Sequence, residues 1–248
     1  MSRVLLLMRH GESAANAAGA FGGWLDVPLT TRGRAQAAEA GRAIRAAGLI
    51  PAALHTSMLD RAVETAAITV REAGVPDLSA ARTWRLNERH YGALQGRARR
   101  DVESEFGPEQ VALWRRSYEL APPPTPMDDP GHPRLDARYA TIADDELPVA
   151  ESLADVRARL LPYWESAIAP DCARHAVTLV VAHGNSLRML RMFLDDLTRE
   201  QVRSLDIPTG VPVRYDLDDR LRPLVIGGIQ LCPDDTSVPT TRTTEPPP

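Results

Sequence analysis

Lysine is missing from this 248-residue chain, so all 29 basic side chains are arginine. Against 33 acidic residues they leave a formal net charge of -4 and a pI near 5.9. That balance excludes a general binder of nucleic acid or anionic membrane, so any anion recognition must be local and built from clustered arginine. Cysteine is scarce as well. Cys172 and Cys232 make neither a disulfide framework nor a metal-ligand spacing, and reduced thiols in a cytoplasmic protein are the expectation. The N-terminal apolar run is five residues long, too short for a signal peptide or a membrane span. No internal repeat is visible. A hydrophobic fraction of 44% is ample for a core, and the length allows one α/β domain or two small ones.

What is present is organised around Val4–Asn16, VLLLMRHGESAAN. An apolar run that stops abruptly at glycine and charge reads as a fully buried strand, here residues 3–9. Buried strands belong to parallel sheets covered on both faces, and in open α/β sheets ligands bind beyond the carboxyl ends of the strands. Arg9 and His10 would sit there. Arginine is a permanent planar donor suited to phosphate, and neutral imidazole is a nucleophile available at pH 7. Gly11 would let the backbone approach a ligand closely. Taken alone, these residues fit a surface turn as well as a site.

A second run, Val177–Ala182, ends in the same way, in His183-Gly184-Asn185-Ser186. Two buried strands ending in His-Gly can bring both imidazoles to one sheet edge. With Arg9-His10-Gly11 upstream and His183-Gly184 far downstream, the chain resembles the histidine phosphatase superfamily. Four stretches are similar to the 2,3-bisphosphoglycerate-dependent phosphoglycerate mutases: Asn87–Gly96 (NERHYGALQG), Trp114–Arg116 (WRR), Ala182–Arg188 (AHGNSLR) and Ile207–Pro212 (IPTGVP). The resemblance runs from about Val4 to about Ile229.

Along the chain, Glu12–Trp24 reads as a glycine-punctuated loop. A helix capped by Thr30 or Thr31 runs to Ala47 and stops at Gly48. Ala53–Ser57 is a short strand, and Leu59–Ala73 is a helix with Arg61 in its first turn. Arg85-Leu86 is expected to end another strand. Residues 97–150 break the strand–helix alternation, with helices near Asp101–Phe106 and Glu109–Leu120 and then a proline-rich irregular segment. Glu151–Ile168 is helical, bent or restarted at Pro162. Helix Asn185–Asp195 follows the second His-Gly, with last strands at Val213–Leu217 and Pro223–Gly227. The fold expected is α/β, a three-layer α/β/α sandwich with a mainly parallel sheet, one domain over residues 1–232 with a helical insertion at 97–150. A Pro/Thr-rich tail, 233–248, is expected to be disordered.

Phosphoryl transfer to histidine needs a lone pair in line with the leaving oxygen, fixed positive donors for the equatorial oxygens, and an acid for the leaving alkoxide. One candidate stands for each role. His10 would be the nucleophile, with a backbone carbonyl setting its tautomer; Arg9, Arg61 and His183 would hold the phosphoryl oxygens; Glu88 would be acid and base. The backbone N–H of Gly184 adds an anion donor. The family resemblance assigns the same roles to these positions. It further implies Ser13, Asn16, Gly22, Gly23, Tyr91, Arg99, Arg115, Arg116 and Asn185 around the substrate, with Arg115 and Arg116 on a segment that could act as a lid. The implied reaction interconverts 3- and 2-phosphoglycerate in the cytoplasm. Its primer is 2,3-bisphosphoglycerate, it needs no metal, and the chain would form a homodimer or homotetramer. Phosphorylated metabolites would be its partners, not nucleic acid or membrane.

Three positions depart from the family pattern. Gly22 stands in place of Thr, Arg99 in place of Lys, and Ala20 where many members have Arg. Two other functions remain open at this level: a phosphatase of the same superfamily, with water as acceptor, and a non-catalytic binding module on the same fold. His90 and His132 read as structural or exposed, and His55 and His175 have no evident partner. Trp84, Trp114 and Trp164 read as packing residues. The acidic clusters Asp128-Asp129 and Asp144–Glu146 read as solvated loop charge.

Overall fold

The computed structural model describes residues 3–231. The expected disordered tail and Cys232 lie outside the described residues, as does the Met1-Ser2 start.

The N-terminal run forms β1 (Arg3–Arg9), in which Val4 through Met8 are all buried. The segment after it is not all loop. Ser13 caps a one-turn helix α1 (Ala14–Ala17), its hydroxyl accepting from the Asn16 N–H while the Asn16 side chain accepts from Ser13. Next come α2 (Thr31–Ala46), capped by Thr30, then β2 (Ala53–Thr56) and α3 (Asp60–Glu72). The strand expected at Arg85-Leu86 lies earlier, as β3 (Ala81–Arg82), and Trp84–Leu86 is a 3-10 turn capped by Thr83.

The insertion begins with α4 (Arg99–Phe106) and α5 (Pro108–Arg116). α5 stops four residues before the expected Leu120, because the Ser117 hydroxyl takes the N–H groups of Glu119 and Leu120 into a turn. The proline-rich part that follows holds only two 3-10 turns, Pro133–Leu135 and Ala137–Tyr139. α6 (Leu153–Tyr163) opens on a Ser152/Asp155 capping box. Pro162 has no N–H to give, and the helix passes through a π turn at Trp164–Ile168 before continuing as α7 (Ala169–Arg174).

Then come β4 (Val177–Ala182), α8 (Gly184–Leu194) and α9 (Arg199–Ser204). α9 escaped the sequence reading, although Thr198 and Gln201 form the capping box that announces it. The chain ends in β5 (Pro212–Leu217) and β6 (Ile229–Gln230). The strand expected at Pro223–Gly227 is absent; Pro223 makes one bridge to Leu217, and positive φ at Gly227 and Gly228 (85° and 64°) turns the chain before β6.

The sheet order is β3-β2-β4-β1-β5-β6, with β5 antiparallel to both neighbours and the other pairs parallel. Alternation along β1 and β4 feeds two cores. Leu5, Leu7, Val180 and Ala182 face Leu160, Trp164, Ile168 and Leu190, while Val4, Leu6, Met8, Leu179 and Val181 face Ala40, Ile44, Ala66 and Val70. Helices thus cover both faces, the three-layer architecture that continuous apolar strands imply. Each fully buried aliphatic side chain contributes roughly 1.5–3 kcal/mol relative to exposure.

Register positions the site. Arg9 pairs with Ala182 and Thr56 with Val181, so β1, β4 and β2 all end at one edge, and the His10 N–H donates to Ala182 O at 3.0 Å. β5, running the other way, begins where these strands end. Its preceding loop therefore reaches the same edge, where Gly210 N–H meets Arg9 O at 3.0 Å with Gly210 at φ +70°.

Candidate active site

His10, just past the end of β1, is buried. Its Nδ1 lies 2.6 Å from Gly11 O. A carbonyl can only accept, so Nδ1 carries the proton and Nε2 keeps its lone pair. Desolvation, followed by the charges of Arg61 and Arg9, holds the His10 pKa well below its ordinary value, so the ring is neutral at pH 7. The His183 ring sits 4.9 Å from it, centroid to centroid, and is kept neutral by burial and by the same two arginines. His183 Nε2 shares a hydrogen bond with Ser57 Oγ at 2.8 Å.

Arg61, completely enclosed at the start of α3, points Nε at His10 Nε2 (3.3 Å). Its two terminal nitrogens donate to Leu25 O and Gly23 O at 2.8 and 2.7 Å, which ties down the Gly22-Gly23 loop. Burial lowers its pKa to about 10, still a full cation at neutral pH. Arg9 donates through Nη1 to Ile207 O at 2.9 Å, and its buried Nε has no partner within the protein. Glu88 is nearly buried; its Oε1 accepts from its neighbour's N–H on Arg89 (2.7 Å) and from Asn185 N–H (3.2 Å). The Asn185 side chain donates to Tyr91 OH at 3.1 Å.

These groups surround a cavity of about 250 Å³. It is lined by Arg9, His10, Ser13, Asn16, Gly22, Gly23, Arg61, Glu88, Tyr91, Arg99, Arg115, Arg116, Gly184 and Asn185, which is every expected site residue except His183. His183 lies beneath, against His10. Arg99 opens α4 and Arg115 and Arg116 close α5, so the insertion supplies one wall. Six guanidiniums face two carboxylates, Glu88 and Asp206. Such a cavity suits a small polyanion.

Three participants escaped the sequence reading. Arg188, one turn after Asn185 on α8, lines the cavity and donates to Asn185 Oδ1 (2.5 Å) and Leu205 O (3.0 Å). The spacing of three on a helix that starts at the site was the available signal. Ser57 follows β2 directly, so it stands at the same carboxyl edge as His10 and His183. Asp206 lines the cavity with its backbone held between Leu205 O and Ile207 O, each capped by an arginine; nothing in its sequence context marked it.

Gly11 has a different reason from the one expected. A Cβ there would stand 2.1 Å from Gly33 O, and one on Gly33 would stand 2.1 Å from Glu12 O. The glycine pair lets α2 touch the turn after β1; the close approach is between backbones, not to a ligand. His55 does have partners, Tyr163 OH at 2.9 Å and Asp171 at 3.1 Å, and it does not line the cavity. His90 and His132 are buried and each accepts a backbone N–H, from Gly92 and Arg134. In the acidic clusters, Asp129 accepts from Gly131 N–H, Asp144 pairs with Arg134 and Glu146 with Arg85. Among the described residues no group of three or more His, Cys, Asp or Glu could hold a metal ion.

Residues 5–224 match the histidine phosphatase superfamily (branch 1). A 2,3-bisphosphoglycerate-dependent phosphoglycerate mutase of Thermobifida fusca is 48% identical over 93% of this chain and 94% of its own. One of Nitratidesulfovibrio vulgaris is 50% identical over 89% of each. Among solved structures, a mycobacterial glucosyl-3-phosphoglycerate phosphatase superposes with a TM-score of 0.68 at 21% identity, over 93% of this chain and 99% of that one. The α-ribazole phosphatase of Shigella flexneri gives 0.64 at 21% identity, over 90% and 95%. At such identity the structures speak to the fold alone.

Proposed function

The chain belongs to the histidine phosphatase superfamily and, within it, to the 2,3-bisphosphoglycerate-dependent phosphoglycerate mutases, and we propose on that premise that His10 carries the phosphoryl group while the chain interconverts 3-phosphoglycerate and 2-phosphoglycerate. The observation that carries this reading is the His10 ring itself. Its Nδ1–H is spent on Gly11 O, so its one lone pair is on Nε2, which borders an arginine-lined cavity and accepts only a long 3.3 Å hydrogen bond, from Arg61 Nε, that an arriving phosphoryl group would replace.

Each neighbour has a role that its position supports. Arg9, Arg61 and His183 hold the phosphoryl oxygens as charge moves from one bridging atom to another. Glu88 takes the proton of the attacking substrate hydroxyl when the P–N bond to His10 breaks and the new P–O bond forms. It returns that proton to the leaving alkoxide when a phosphoryl group comes back to His10. Ser13, Asn16, Tyr91, Asn185 and the Gly22-Gly23 backbone orient the substrate. Arg99, Arg115 and Arg116 cover it, which keeps water from the phosphohistidine. The primer 2,3-bisphosphoglycerate supplies the phosphoryl group that loads His10. The excess of guanidinium over carboxylate in the cavity fits such a polyanion. Metal is not part of the proposal, because arginine already supplies the positive charge. No helix among the described residues is long and apolar enough to cross a membrane; a cytoplasmic setting and a homodimer or homotetramer complete the proposal, the latter checked by light scattering.

The test is an enolase-coupled assay with parallel ³¹P detection, with and without 2,3-bisphosphoglycerate. Primer-dependent isomerisation is the expected result. Phosphate release without isomerisation would make the chain a phosphatase, and binding without either would make it a ligand-holding module.

A further inference from the structure

The segment that carries Glu88 has no ladder of its own. After the 3-10 turn at Trp84–Leu86 the chain runs through Asn87–His90 outside helix and sheet, yet Leu86, Asn87, Arg89 and His90 are completely buried. Buried carbonyls without partners are costly, and here one side chain donates to four carbonyls along the stretch. Arg159, on α6, donates through Nη1 to Arg85 O (2.7 Å) and Trp84 O (3.4 Å), and through Nη2 to Asn87 O and Glu88 O (3.0 Å each). Toward Glu151, Nε donates to Oε1 at 2.6 Å, and Nη2, whose two hydrogens are shared among three acceptors, also reaches Oε2 at 3.0 Å.

Glu151 closes the other side of the segment. Its Oε2 accepts from His90 N–H at 2.7 Å and its own N–H donates to His90 O at 2.9 Å. Trp24 Nε1 adds a third fixture, a hydrogen bond to Glu88 O at 2.6 Å. Both members of the ion pair are buried, and neither lines the cavity. The pair supports the fold, since its loss would leave these backbone groups unpaired, so a role toward Glu88 must show itself in a step-selective effect.

We propose that Arg159, oriented by Glu151, is a positioning residue for Glu88: it fixes the backbone on both sides of that residue and thereby aims its carboxyl group at the substrate oxygen that gains a proton as its bond to phosphorus breaks and loses one as that bond forms. The proposal rests on the reading of Glu88 as general acid and base. A carboxylate displaced by about an ångström costs roughly 100-fold in rate, and only in steps that need the proton.

That condition supplies the test. 2,3-Bisphosphoglycerate has an alkoxide leaving group that must be protonated. p-Nitrophenyl phosphate has a phenolate that leaves without help. Phosphoryl transfer from each to the enzyme is measured in a single turnover, as phosphoenzyme formed from 2,3-bisphosphoglycerate and as the p-nitrophenol burst, for wild type, Arg159→Lys, Glu151→Gln and Glu88→Gln. Arg159→Lys keeps the charge and loses the planar fork. Expected is a loss of about 10- to 100-fold on 2,3-bisphosphoglycerate with a p-nitrophenol burst within about threefold of wild type, together with a displaced alkaline limb in the pH–rate profile. Equal losses on both substrates, or no loss on either, overturn the positioning role. If Arg159→Lys does not fold, Glu151→Gln carries the same comparison. Glu88→Gln separates the two readings. Equal losses there sink the general-acid assignment itself, whereas a selective loss there beside equal losses at Arg159→Lys sinks only the positioning role.

Discussion

Arg61 Nε stands 3.3 Å from His10 Nε2, the ring nitrogen that Gly11 leaves free. A guanidinium can donate there only to a neutral imidazole, and Gly23 O and Leu25 O accept from its other two nitrogens. The arrangement keeps Nε2 of His10 deprotonated and sets a cation beside it, as the proposed phosphoryl transfer requires. It also stores a pH dependence.

His10 and His183 are both held well below the usual imidazole pKa by burial first and neighbouring arginines second, and His90 is lowered to about 3 by burial, with Arg159 the next cause. Below pH 6.5 the unfolded chain takes up protons at these positions and the folded chain does not, so stability present above 6.5 is lost as pH falls toward the folded pKa values. Each ring held neutral costs about 1.4 kcal/mol per pH unit in that window. Urea unfolding at pH 7.5, 6.0 and 5.0 should show a midpoint that drops steeply below 6.5, and the drop should shrink in His90→Gln. A flat midpoint across that range would contradict the neutral, buried rings.

The His10→Asn variant separates chemistry from packing. Its side-chain amide can still donate to Gly11 O, as Nδ1 does now, while no nucleophilic lone pair remains. We expect a melting temperature within a few degrees of wild type and no phosphoenzyme after mixing with 2,3-bisphosphoglycerate. The measurement is acid-labile phosphate on the protein. Incorporation at the wild-type level would remove His10 from the carrier role.

The strongest readings in the sequence were those where one physical rule acts alone. VLLLM and VTLVVA had to be strands buried on both faces, and a parallel register then brought His10 beside His183. Legibility failed where tertiary contacts chose between local options. Arg85-Leu86 looked like a strand, but Arg159 takes the Arg85 carbonyl and the segment coils into a turn. Gly11 is a glycine because Gly33 of α2 is packed on it, a pairing across more than twenty positions that no local pattern contains. Arg188 and Ser57 were visible as letters, but their roles depend on which helix face and which strand end reach the cavity.

Asp206 gives an electrostatic prediction. It is an exposed carboxylate on the wall of a cavity that six guanidiniums make positive, and no arginine lies within ion-pair distance of it among the described residues. A carboxylate so placed repels anionic occupants, but solvent and salt screen it. Asp206→Asn should therefore tighten inhibition by inorganic phosphate or vanadate by roughly two- to tenfold at low salt, with the gain fading as salt is raised. Weaker inhibition in the variant would mean that Asp206 orders an arginine and does not compete with the ligand.

Gly22 is the departure from the family pattern with the sharpest consequence. In the proposed reaction a bisphosphoglycerate formed in the cavity must reorient without escaping, and that requires donors for its carboxylate and phosphates in either orientation. Threonine at this position would offer a hydroxyl as well as the backbone N–H. The site can accept it, since a Cβ on Gly22 would meet Ala15 Cβ at 3.4 Å and Val27 Cγ2 at 3.8 Å, ordinary contacts, and the residue needs no positive φ. Gly23 beside it could not be changed so easily, because its φ is +52° and a Cβ would run into the Gln95 side chain at 2.0 Å. One neutral hydrogen bond is worth roughly 0.5–1.5 kcal/mol, about a three- to tenfold change in retention. Gly22→Thr should accordingly raise the ratio of isomerisation to phosphate release by up to that factor, with Gly22→Ala, which stiffens the loop and adds no donor, giving little of the gain. Equal gains in both variants would assign the effect to loop stiffness, and an unchanged ratio in both would mean that Ser13, Asn16 and the arginines already retain the ligand without the missing hydroxyl.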